Sequence, residues 1–77
     1  YMGVDASHAI FEVEVPEEWA GKTVGELDIR KRYNIKILAV KNDREFNIAI
    51  SPDTCFAENN KLLVLGEYKN LQKCFRI

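Results

Sequence analysis

This sequence has little from which a catalytic centre could be built. Of its 77 residues one is a histidine, His8, close to the start of the chain. A single imidazole in that position cannot complete a Ser-His-Asp or Cys-His arrangement. The two cysteines, Cys55 and Cys74, lie far apart and match no metal spacing. Two reduced, partly buried thiols are expected, with one disulfide as the alternative for a secreted chain. The carboxylates of Asp43, Glu45, Asp53 and Glu58 are scattered over turns without the spacing of a calcium loop. No glycine-rich phosphate loop or dinucleotide fingerprint is present. Neither catalysis nor a resident metal or cofactor is therefore expected.

Other absences narrow the class further. No apolar run approaches the ~20 residues needed to span a bilayer, so direct membrane insertion is not expected. Eleven basic residues are balanced by twelve acidic ones, for a net charge of −1. That balance argues against a nucleic-acid binder, which would carry a basic stripe. There is no internal repeat, low-complexity tract or interior linker, and no secretory leader with a basic and then an apolar region. Residues 1–8 read as a disordered or cloning-derived leader, with the single domain spanning 9–77. A domain this short buries only about 60% of its unfolded surface. Part of its stability is expected from a partner subunit or a longer parent chain.

The elements that are present alternate clearly. Phe11, Val13 and Val15 alternate with Glu12 and Glu14, which marks a half-buried strand ended by Pro16. A loop with one apolar anchor, Trp19, leads to Thr23 and Glu26. These two have the spacing of a capping box: the Thr hydroxyl accepts from the backbone N–H three residues on, and the Glu carboxylate reaches back to the Thr23 N–H. A helix is expected over 24–32, with Val24 and Leu27 on one face and Asp28 and Arg32 as an i,i+4 pair. Gly25 weakens it by about 1 kcal/mol relative to Ala, and Asn34 is a suitable left-handed stop. Residues 35–41 read as a strand, Asn42-Asp43-Arg44 as a turn, and 45–50 as the return strand, with Phe46, Ile48 and Ile50 on one face. Ser51-Pro52-Asp53 breaks it. A short extended piece at 54–56 and a turn at Glu58-Asn59-Asn60 precede a buried strand at 61–65, closed by Gly66. Tyr68, Leu71 and Phe75 then share one face of a final helix. The order β-α-β-β-β-α predicts an α+β fold, a mainly antiparallel four-stranded sheet with two helices on one face.

The densest chemistry is the cation group Arg30, Lys31 and Arg32, followed by Lys36 on the next strand. Cations suit a helix C-terminus because the dipole there is negative. Alternatively the group holds an anion, since the planar fork of an arginine suits phosphate oxygens. Asp28 would then orient that fork or accept from a ligand's amino group, and Ile29, Ile35 and Pro52 would supply an apolar surround fit for an aromatic base.

The stretch Ala20-Gly21-Lys22-Thr23-Val24-Gly25-Glu26-Leu27-Asp28-Ile29-Arg30, followed by Tyr33-Asn34-Ile35-Lys36-Ile37-Leu38-Ala39-Val40-Lys41, resembles the C-terminal domain of regulators of potassium conductance (RCK-C, or TrkA-C). That domain occurs in the regulatory subunits of Trk and Ktr potassium-uptake systems. Ser51-Pro52-Asp53-Thr54 and Lys61-Leu62-Leu63-Val64-Leu65-Gly66 match later landmarks in order, so the resemblance runs from Ala9 to Phe75. The chain departs from the pattern at Asn59-Asn60, where the family commonly has Gly-Asp. The resemblance implies a homodimer and a cytoplasmic module held beneath a membrane potassium-transporter subunit. It implies cyclic di-adenosine monophosphate (cyclic di-AMP) bound at the dimer interface and controlling potassium uptake. Arg30 would contact a phosphate, and Asp28 the adenine edge or nearby backbone. Ile29, Asn34, Ile35 and Pro52 would line the base pocket, with Val24 and Gly25 as its loop-side wall. The alternative is a dimerisation or gating module of a channel, transporter or antiporter with no nucleotide of its own.

Overall fold

The computed structural model describes residues 2–77. The sheet has five strands, β1 (Met2–Gly3), β2 (His8–Glu14), β3 (Ile35–Asn42), β4 (Glu45–Asn47) and β5 (Lys61–Glu67), in spatial order β1-β2-β5-β3-β4. Every pairing is antiparallel. Three α-helices accompany it: α1 (Val24–Leu27), α2 (Ile29–Tyr33) and α3 (Tyr68–Cys74). The four expected strands and the one-sided α+β layering are all present.

The fifth strand lies in the segment read as a leader. Met2 and Gly3 pair with Ile10 and Ala9 at the sheet edge. The turn between them is held by Asp5, whose Oδ1 accepts from the Ser7 amide at 2.9 Å and the His8 amide at 2.8 Å. Its carboxylate also lies 2.9 Å from His8 Nδ1. These bonds, led by the Ser7 amide and the His8 ring, pull the Asp5 carboxyl down to about 2. An Asx turn of this kind substitutes side-chain acceptors for a ladder.

Alternation divides the sheet. Leu62 and Val64 of β5, Ala9 and Val13 of β2, and Ile35 and Ile37 of β3 face the helices and are buried. Leu27, Ile29 and Leu71 meet them from the helical side. Trp19 closes the far end, with its ring 5.4–5.9 Å from those of Phe75, Phe56 and Tyr33. Tyr68, expected on the buried face of α3, stays 41% exposed and lies against Phe11, 5.8 Å between centroids. Gly66 does not end β5. It pairs with Ala9 on one side and Ile35 on the other. A Cβ there would stand 2.8 Å from an Ile35 methyl, so the glycine makes room for that side chain.

Two expected elements are shorter than their sequence pattern. The helix over 24–32 is split, because Asp28 is left-handed at φ 50°, ψ 48°. Leu27 and Ile29 are both buried. On one continuous helix, residues two apart do not share a face; the left-handed residue turns the axis so that both enter the core. The Asp28–Arg32 contact is a backbone one, the Arg32 amide donating to the Asp28 carbonyl at 2.9 Å. The Arg32 guanidinium instead lies 5.2 Å from the Tyr33 ring centroid. The return strand ends at Asn47, not at Ile50. The Asn47 side chain accepts from the Ala49 amide at 3.0 Å, and Ile50 N donates to Ile48 O at 2.9 Å. Such local bonds compete with the sheet ladder. Ile48 is left 80% exposed.

Candidate functional site

The capping box forms as the spacing predicts. Glu26 N donates to Thr23 Oγ1 at 3.1 Å, and Thr23 N donates to Glu26 Oε1 at 3.0 Å. The Thr23 backbone amide, then its side chain, hold the Glu26 carboxyl below the usual carboxylate range. Fixing this turn also fixes the loop opposite. Val24 N donates to Thr54 O and Gly25 N to Pro52 O, both at 2.9 Å. Gly21 and Phe56 continue the tie, with Gly21 N donating to Phe56 O at 2.8 Å and Phe56 N to Lys22 O at 3.0 Å. The Ser51–Phe56 loop is therefore bonded along its length to the start of α1.

Between that loop, α2 and β3 lies a groove of about 540 Å³. Five of the residues singled out from sequence line it: Val24, Ile29, Arg30, Ile35 and Pro52. Ile29 and Ile35 are 2% exposed, so they form its floor and belong equally to the core. The other three, Gly25, Asp28 and Asn34, are not among its lining residues. Gly25 backs Pro52: a Cβ on it would lie 3.0 Å from the Pro52 carbonyl oxygen and 3.2 Å from its Cβ. Asp28 and Asn34 occupy left-handed positions at the two ends of α2, and Asn34 stops that helix as its sequence position suggests. Arg30 is thus held on a five-residue helix with a fixed stop at either end.

The remaining lining is Lys36, Ile37, Leu38, Ile48, Ile50 and Ser51. Lys36 stood out in the sequence as a cation, but its place on this wall is set by the β3–α2 packing. Ile48 and Ile50 reach the groove because β4 stops early. The lining carries two cationic side chains and no carboxylate. Among the described residues the ion pairs are His8–Asp5 and Lys69–Glu67. The arrangement offers an apolar slot with positive charge on its wall, which suits a flat, greasy ring attached to an anion.

A second groove, about 840 Å³, lies between β2 and the chain end, with Glu12, Glu14, Glu17 and Glu18 on its wall. Burial raises the Cys74 thiol at its rim, while Cys55 is exposed, and both are free. Among the described residues no group of three or more His, Cys, Asp or Glu side chains is placed to hold a metal ion. No helix among them is long and apolar enough to cross a membrane.

Comparison with known proteins adds relatives to this geometry. The TrkA-C domain family model matches residues 8–77. The chain is 36% identical over 64 residues to the K(+)/H(+) antiporter subunit KhtT of Bacillus subtilis (strain 168), covering 82% of this chain and 39% of that protein. It is 26% identical over 73 residues to Ktr system potassium uptake protein C of the same organism, covering 95% of this chain and 33% of that one. A solved structure of the KtrA RCK C domain in complex with cyclic diadenosine monophosphate aligns with a TM-score of 0.79. Identity there is 33%, over 86% of this chain and 78% of that one. The GsuK channel bound to NAD aligns at 0.78 with 28% identity, over 88% of this chain and 13% of that one. The chain thus spans well under half the length of the two Bacillus subtilis relatives it matches.

Proposed function

The chain belongs to the TrkA-C domain family, and on that premise we propose that it is the ligand-sensing regulatory module of a bacterial potassium transport system, on the cytoplasmic side, with cyclic di-AMP as its ligand. The observation that carries the proposal is the meeting of Arg30 and Pro52 on one groove floored by Ile29 and Ile35. An adenine fits the apolar slot beside Pro52, and Arg30 presents a fork to the phosphate. The KtrA domain similar to this chain is known in complex with that dinucleotide.

The groove is also half of something larger. Leu63 and Leu65 alternate with the buried Leu62 and Val64, so they belong to the sheet face away from the helices, and both are only half-buried. Ile10 is paired with Leu65, and Lys36 flanks Leu65 on the other side. This apolar band meets the groove at Lys36 and Leu38. An uncovered apolar band of this kind marks an interaction surface. A second copy across it would place two grooves about one two-fold axis. A two-fold ligand with two phosphates and two bases then needs one half-site per subunit. Ligand binding would be linked to subunit geometry, which is the requirement for allosteric control of the attached transporter.

Isothermal titration with cyclic di-AMP, paired with light scattering on the same sample, tests the proposal. One dinucleotide per dimer with a Kd near ~10 μM or tighter, about −7 kcal/mol, is expected. A folded dimer that gives no heat would leave the ligand-free gating module as the reading of this domain.

A further inference from the structure

The groove has two cations, and only Arg30 has a part in the reading above. Lys36 enters from β3, where Ile35 and Ile37 on either side of it face the core. It therefore lies on the opposite face, in register with Leu65. No carboxylate sits across from it. The diagonal position on β5, Glu67, is paired with Lys69 at 3.6 Å. The groove itself contains no Asp or Glu, although the chain as a whole has an acidic excess and places four glutamates on its other groove. Two cations on one concavity that holds no counter-charge suit an anionic ligand. The unbranched stem of Lys36 can lie along the apolar strand face while its ammonium reaches the groove.

We propose that Lys36 is a phosphate-contacting, specificity-determining residue that forms a two-cation clamp with Arg30, so that the groove selects its ligand by the phosphate linkage as well as by the base. The proposal rests on the groove being the ligand site. It goes further in assigning the second charge to β3, the strand that carries the apolar face. Anion binding then bridges α2 and the sheet.

Two probes separate this proposal from the reading beneath it. Amide chemical shifts of the isotope-labelled protein are followed during titration with cyclic di-AMP and, separately, with inorganic pyrophosphate. Both probes are expected to move the Arg30 and Lys36 signals. Lys36→Gln should weaken both about tenfold and flatten the dependence on added salt, since an exposed charge contact is screened. Lys36→Arg should restore most of the affinity. Lys31→Gln, exposed and outside the groove, should change either by less than about twofold, because a surface charge distant from the ligand contributes little. Pyrophosphate binding at Lys36 without cyclic di-AMP binding would reject the dinucleotide reading and leave the clamp standing. Wild-type affinity in Lys36→Gln, an equal loss in Lys31→Gln, or no binding of either probe would overturn the clamp.

Discussion

The Gly25 amide donates to the Pro52 carbonyl at 2.9 Å, and the two residues are so close that a single added methyl on Gly25 would press on that same oxygen. This contact joins the helical wall of the groove to its loop wall. Gly25→Ala adds the methyl. Helix preference favours Ala by about 1 kcal/mol, and crowding of a packed contact costs about 1–3 kcal/mol. Stability should therefore change little, falling by less than about 2 kcal/mol, while Pro52 shifts outward. Denaturant unfolding and the Pro52 Cα shift check this together. An unshifted Pro52 would mean that the loop does not depend on Gly25.

Arg30→Ala removes the guanidinium without touching the core. A charge-assisted hydrogen bond contributes about 1.5–3 kcal/mol, so cyclic di-AMP affinity should fall by about tenfold to a hundredfold, with the unfolding midpoint and the dimer unchanged. Calorimetry and sedimentation give both quantities. Unaltered binding would reduce Arg30 to a cation stabilising a helix end.

Thr23→Ala deletes one arm of the capping box and should cost about 1 kcal/mol of stability. The loss should be focused on α1 and on the Pro52–Thr54 segment bonded to it, as hydrogen exchange of the Val24 and Gly25 amides will report. A loss spread evenly over the sheet would contradict this.

Acid should loosen the β1–β2 turn before it unfolds the domain. Asp5 is held at about 2, below its ordinary 3.8. A depressed carboxyl stabilises above its unfolded value, and that contribution disappears as pH falls through the folded one. The Ser7 and His8 amide signals should therefore move as pH falls from about 4 through about 2, with their midpoint near the lower value. In Asp5→Asn the same signals should be insensitive over that window, and movement there would assign the transition to another group.

Gly66→Ala should destabilise by about 1–3 kcal/mol through overpacking, since the new methyl meets Ile35 at 2.8 Å beneath the groove floor. Thermal unfolding reads the loss, and a neutral result would show that Ile35 can move aside.

Much of this was legible in the residues themselves. Thr23 and Glu26 specify their box by spacing alone, and Phe11, Val13 and Val15 mark a strand by alternation, because both signals are local. The break at Asp28 is not local. A left-handed aspartate is intrinsically unfavourable and is adopted because it lets Leu27 and Ile29 both be buried. Those two apolar residues, two apart in an otherwise helical stretch, were the available clue. The early end of β4 comes from Asn47 bonding its own backbone, a competition that a run such as Phe46, Ile48 and Ile50 conceals. Lys36 was recognisable as a charge, but its groove exists only once α2, β3 and the Pro52 loop have come together.

The central strand of the sheet is the last to be synthesised. β5 separates β2 from β3 and bonds to both, so neither has its main neighbour until residue 67 or so has left the ribosome. His8 then has to find Glu67 across almost the whole domain. Closing such distant pairs is slow relative to forming local ones, and the growing chain meanwhile carries two apolar strands, each with only its short hairpin neighbour beside it. The sheet is therefore closed only once the C-terminal third of the domain is free to enter between two strands already made.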